Sequence, residues 1–193
     1  MKVIGLTGSI AMGKSTAARM CRRMGVPVHD ADAAVHALMA PGGAAVARVC
    51  DRFDGVADGA GAVDRGRLGK AVFGQPAELK ALEAILHPLV RQAETRFRAE
   101  QRRLGRARVM LDIPLLFETG GHNRVDQVIV ISAPAWLQKA RVLRRPGMTE
   151  ERLKAILARQ VPDHEKRRQA DCVVTSGLGR AVTWRQLQVA LFE

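Results

Sequence analysis

Apolar positions along the chain fall into two rhythms. Short apolar runs bounded by turn residues are KVIGLT at the start, VPVH after Gly25, ARVMLDI after Gly105, DQVIVIS from Asp126 and DCVVTS from Asp171. Longer segments of helical period lie between them, and that alternation is the pattern of a parallel α/β sheet. The reading is therefore an α/β, three-layer, doubly wound fold with a five-stranded parallel sheet, whose ligands bind beyond the carboxyl ends of the strands. Roughly residues 33 to 104 depart from the alternation. They read as successive helices broken at Pro41-Gly42, in the Gly-rich stretch 55 to 66, at Pro76 and at Pro88, and so as a helical insertion beside the sheet.

Length and composition narrow the class. A chain of 193 residues with 47% hydrophobic and 26% charged residues has the size and balance of one compact domain with a sizeable core. Cys21, Cys50 and Cys172 are far apart and show no CxxC spacing, which suggests neither a disulfide framework nor a thiolate metal site. The opening residues run straight into a motif without the apolar stretch of a signal peptide, and no apolar run approaches the ~20 residues of a membrane span. The expectation is a soluble, cytoplasmic protein with no membrane partner. Its formal net charge of +12 predicts attraction to polyanions. The densest basic stretch runs from Arg91 to Arg108, reads first as a solvated helix face, and carries no zinc-finger, RRM or KH signature. With two Trp, five Phe and no Tyr for base stacking, nucleic acid is disfavoured as a partner.

The strongest chemical signal is GSIAMGKS, from Gly8 to Ser15, which fits G-x-x-x-x-G-K-[ST] in full between a strand and a helical run. In such a loop the backbone N–H groups of Gly8, Ser9, Ile10, Ala11, Met12, Gly13, Lys14, Ser15 and Thr16 form the ATP-binding set, and the helix that follows offers its positive end to the same anion. Lys14 supplies the mobile cation. The Ser15 hydroxyl would bind Mg²⁺ carried with ATP.

A phosphate loop does not name the acceptor. In HDAD, Asp30 and Asp32 are two apart after the second strand, where one carboxylate can serve as general base toward an attacking hydroxyl. Asp30 also suits the N-cap of the helix that begins near Ala31. Asp112 ends the apolar run VMLD as a Walker B aspartate does, acting on the metal through water, although an aspartate after a buried strand is also a common turn residue.

IGLTGSIAMGKST, HDADAAVH, LHPLV from Leu86 and DIPLLFE from Asp112 together resemble the successive signatures of dephospho-coenzyme A kinases across essentially the whole chain. The resemblance implies a P-loop kinase core at about 1–32, 105–134 and 161–193, a helical substrate-binding insertion at about 33–104 and a helical lid at about 135–160. It implies transfer of the ATP γ-phosphoryl to the ribose 3′-hydroxyl of dephospho-coenzyme A, with Asp32 as base. Asp30, His87 and the segment Pro114, Leu115, Leu116, Phe117, Glu118 would border the acceptor, with no chemistry assigned to His87. Ser9 stands where a second glycine is usual, Met12 where a small residue is usual, and TSG where an asparagine-rich turn is expected near the adenine.

The lid stretch, Leu137 to Gln160, reads as two helices broken at Pro146-Gly147. Arg141 and Arg145 are four apart, a spacing that puts both guanidinium groups on one helix face, where they can close over the transferring phosphoryl group. A nucleoside or nucleoside monophosphate kinase shares every one of these parts except the acceptor pocket. A basic, nucleic-acid-stimulated P-loop ATPase is favoured by the charge alone.

Overall fold

The computed structural model describes residues 1–193 and divides into two compact units, Met1–His29 with Gln101–Glu193, and Asp30–Glu100. The sheet consists of β1 (Lys2–Thr7), β2 (Val28–Asp30), β3 (Arg108–Asp112), β4 (Gln127–Ser132) and β5 (Cys172–Thr175), in the order β2-β3-β1-β4-β5. β1 runs parallel to both β3 and β4, and β4 runs parallel to β5. Successive crossovers leave β1 in opposite directions, so the order reverses beside β1, the position at which open α/β sheets bind ligands.

Two-residue periodicity in β4 shows why the central runs, β1, β3 and β4, form strands buried on both faces. Ile129 and Ile131 join Ile4, Leu6 and Met110 in a core closed by α1 (Lys14–Arg23) and α9 (Arg180–Phe192). Val128 and Val130 point the other way, against Leu116 and Phe117. Each such side chain contributes about 1.5–3 kcal/mol by leaving water. The same unit holds α6 (Ala135–Leu143), α7 (Glu150–Leu157) and α8 (Asp163–Gln169). No helix is long and apolar enough to cross a membrane.

The second unit has a core of its own, built from Met39, Val49, Phe53, Val56, Leu68 and Leu82. It comprises α2 (Ala31–Met39), α3 (Val46–Arg52), α4 (Arg65–Val72) and most of α5 (Pro76–Arg103).

Three features of the pattern resolve differently from expectation. The strand expected at VPVH begins only at Val28; Pro27 has no N–H for a ladder, though its carbonyl accepts from Met110 N at 2.8 Å. Pro76 starts a helix, because at the first helical position its missing N–H is no loss. Pro88 does not break the insertion: α5 runs through it for 28 residues. An interior proline costs about 3 kcal/mol. Leu82, Ile85, Leu86 and Leu89 pack into the second core on both sides of it and outweigh that cost.

Candidate active site

The loop from Gly8 to Gly13 joins β1 to α1, and its two fixed glycines are required by different constraints. A Cβ on Gly8 would lie 2.5 Å from the Ile131 carbonyl oxygen, so the loop crosses β4 at a distance only glycine allows. Gly13 caps α1 at φ 97°, a left-handed conformation that also brings it against Ser176. Ala11 is the one non-glycine residue of the chain with positive φ, 59°. Such a residue costs about 1–2 kcal/mol and is retained where the surroundings impose it. The bulk noted at Ser9 and Met12 turns inward: both residues are buried, 4% and 2% exposed. They serve the site through their backbone.

Lys14 opens α1, and its Nζ lies 2.5 Å from Asp112 Oδ1 at the end of β3. The structure thus brings together the loop lysine and the Walker B-like aspartate. Ser15 is exposed in the first turn of α1. Behind them Cys21 is fully buried, and desolvation followed by the Asp112 charge pushes its thiol up to about 12, which makes it an inert core residue.

Asp30 and Asp32 part company. Asp30 is the N-cap of α2, its Oδ1 accepting from Ala33 N at 3.0 Å, while Asp32 lies exposed in the first helical turn. His87 is exposed on α5 beside Pro88. In the segment after β3, Pro114 accepts from Thr7 Oγ1 at 3.1 Å and Leu115 is exposed. Leu116 and Phe117 are buried on the turn after β3, 0% and 8% exposed, and pack with Val128 and Val130. Glu118 accepts from Val161 N at 2.9 Å and lies 2.8 Å from Lys166 Nζ.

The two arginines do not share a helix face. α6 ends at Leu143, because Pro146 disfavours helical geometry at Arg145. Arg141 donates to Ser176 Oγ and Ser176 O, both at 2.8 Å, and to Ala11 O at 3.3 Å, while Arg145 is exposed beyond the helix end. Sequence reasoning missed four residues that touch this machinery: Gln138, Gln160, Ser176 and Lys166. Gln138 donates to Ile10 O at 2.9 Å, Gln160 accepts from Ile10 N at 3.2 Å, and Ser176 donates to Met12 O at 2.6 Å. Only TSG carried a signal, as a departure from an expected turn.

The chain is similar to known proteins over nearly its whole length. The dephospho-CoA kinase family profile matches residues 2–179. A dephospho-CoA kinase of Paramagnetospirillum magneticum is 65% identical over 167 residues, 86% of this chain and 78% of that one. One from Rhodospirillum rubrum is 57% identical over 190 residues, 98% of this chain and 90% of that one. The solved dephospho-CoA kinase from Campylobacter jejuni superposes with a TM-score of 0.69 at 23% identity, covering 98% of this chain and 95% of its own, a likeness of fold. With the phosphate loop, the strand order and these relatives in agreement, the chain belongs to the dephospho-CoA kinase family.

Proposed function

We propose that this chain moves the γ-phosphoryl of ATP onto the ribose 3′-hydroxyl of dephospho-coenzyme A, giving coenzyme A and ADP in the last step of coenzyme A biosynthesis. The observation that carries the reading is the pairing of Lys14 with Asp112 at a complete phosphate loop, in a chain of this family. Phosphoryl transfer asks the protein for positioning and charge stabilisation more than for covalent chemistry. Lys14 exchanges the Asp112 carboxylate for β- and γ-phosphate oxygens. Asp32, two residues beyond β2, accepts the proton of the acceptor hydroxyl, and Asp30 holds the start of α2 that presents it. Arg141 braces the nucleotide end through Ala11 and Ser176, which leaves Arg145 as the lid cation that meets the transferring charge.

Mg²⁺ fits the residues present as an ion that arrives with ATP. One hydroxyl, Ser15, and one buried carboxylate, Asp112, are hard oxygen donors, and the chain has no cluster of three or more His, Cys, Asp or Glu side chains able to hold a metal without a ligand's oxygens. Ser15 would bind it directly and Asp112 through water. Bound there, the ion neutralises charge on the phosphate oxygens. His87, Pro114, Leu115 and Glu118 border the acceptor in this reading, and an ATP-dependent step of this kind belongs in the cytoplasm.

Purified protein with Mg·ATP should release ADP with dephospho-coenzyme A and stay near background with AMP, a nucleoside or DNA. Turnover with AMP or a nucleoside and none with dephospho-coenzyme A would make it a kinase of the neighbouring kind, and DNA-dependent turnover would make it an ATPase.

A further inference from the structure

From Ser9 to Gly13 every carbonyl of the phosphate loop accepts a hydrogen bond from the protein. Ser9 O accepts from Met12 N at 3.1 Å within the loop itself. Ile10 O accepts from Gln138 Nε2 at 2.9 Å, Ala11 O from Arg141 at 3.3 Å, and Met12 O from Ser176 Oγ at 2.6 Å. Gly13 O takes the N–H groups of Thr16 and Ala17 at 3.0 and 3.1 Å, as the first turn of α1 requires. On the donor side, Ile10 N–H is taken by Gln160 Oε1 at 3.2 Å. The N–H groups of Ala11 and Gly13 make no internal hydrogen bond, and the first N–H groups of α1 are orphan donors by helix geometry. Buried backbone groups need partners. Of the N–H groups expected to bind ATP, those of Ile10, Met12 and Thr16 are taken internally, and those of Ala11 and Gly13 with the first N–H groups of α1 are left for an anion.

The atoms that hold it come from three separate places. Gln138 is on α6 and only 6% exposed, Gln160 follows α7, and Ser176 follows β5, where its own N–H is fixed to Ser132 O at 2.9 Å. Oxygen and nitrogen of the two amides are settled by their partners, since a carbonyl can only accept and an N–H only donate. Ile10 is thus gripped on both sides, by the amide of Gln138 on α6 and by that of Gln160 just beyond the end of α7.

We propose that Gln138, Gln160 and Ser176 are positioning residues for nucleotide binding: they hold the peptide groups of Ile10 and Met12 so that the N–H groups of Ala11 and Gly13 stay turned to the triphosphate. The role rests on the nucleotide reading of the loop. The strained Ala11 lies between the two peptide groups they hold.

The test is Mg·ATP titration calorimetry on Gln138→Met, Gln160→Met and Ser176→Ala, with dephospho-coenzyme A titrated separately, all well below each variant's own melting midpoint. Methionine keeps the length and volume of glutamine without its hydrogen bonds. Each variant should bind ATP about tenfold more weakly, the scale of one lost hydrogen bond, with dephospho-coenzyme A affinity within about twofold of the parent. The pair Gln138→Met with Gln160→Met should lose less than the product of the single effects, because both hold Ile10. ATP affinity within about twofold of the parent in all three variants overturns the proposal, as do equal losses for both ligands. Failure of the parent itself to bind ATP would instead overturn the nucleotide reading.

Discussion

Lys14 Nζ stands 2.5 Å from Asp112 Oδ1, with the lysine side chain 15% and the aspartate side chain 3% exposed. The lysine that would meet phosphate is thus also what neutralises a buried carboxylate. Lys14→Met should abolish transfer, by about 10²-fold or more. It should also destabilise the ligand-free protein by about 1–3 kcal/mol, because removing one partner leaves the other buried and charged. Adding Asp112→Asn should restore the melting temperature and leave activity absent. If Lys14→Met melts like the parent, the ion pair contributes nothing to stability.

Asp30 caps α2, and Asp32 is the residue proposed as base. Asp32→Asn should lower kcat by about 10²- to 10⁴-fold with ATP affinity retained. Asp30→Asn should change kcat little, since asparagine caps as well as aspartate. Steady-state kinetics of the two variants decide the matter, and reversed severities would move the base to Asp30.

The central strands were legible because apolar runs bounded by turn residues report burial directly, the half-buried β2 was legible only in part, and the loop was legible because its fixed residues form a complete phosphate-loop pattern. Pro88 was not: the penalty of a proline is local, while the packing of Leu82 and Leu89 that overrides it is tertiary. Arg141 and Arg145 looked alike by spacing, yet a proline just past Arg145 ended the helix between them. Gln138, Gln160 and Ser176 were invisible because they act on backbone carbonyls and N–H groups, which leave no mark in side-chain spacing. Lys166 sits in a run of charges, DHEKRR, and nothing in the string marks it as the fully buried one.

Arg145 is exposed and Arg141 is committed to Ser176, so the two should respond differently to the same mild change. Arg145→Lys keeps the charge but loses the planar fork that grips two phosphate oxygens, and should lower kcat by about tenfold or more with melting unchanged. Arg141→Lys should raise the KM for ATP and lower the melting temperature. Arg144→Lys, at the exposed end of α6, should be silent within about 0.5 kcal/mol. A silent Arg145→Lys would mean that the transition-state charge is met elsewhere.

Cys21 makes stability depend on alkaline pH. Its folded-state value of about 12 lies above the ordinary 9.0, so the folded protein holds the thiol proton more tightly than the unfolded chain does. The thiol's contribution is fully present below the ordinary value and is lost as pH rises from there through about 12. Cys21→Ala should therefore show a shallower loss of stability above pH 9 than the parent. Identical alkaline profiles would show that the thiol plays no part.

Lys166 is fully buried, and its Nζ lies 2.8 Å from Glu118 Oε1, the oxygen that also accepts the Val161 N–H. Glu118 Oε2 has no hydrogen-bond partner, so the lysine is the principal compensation for a carboxylate largely removed from water. A buried pair need not stabilise relative to an apolar one, but breaking it from one side leaves an uncompensated charge, at a cost of about 3–5 kcal/mol. Lys166→Met should lower the melting temperature steeply. Adding Glu118→Gln should recover most of that loss, because the amide oxygen can still accept from Val161 and no charge remains to be neutralised. Pairing the neutral substitutions thus separates charge from packing. If the double variant is no more stable than Lys166→Met alone, the lysine holds its place by filling space, and Glu118 is kept in position by Val161 without it.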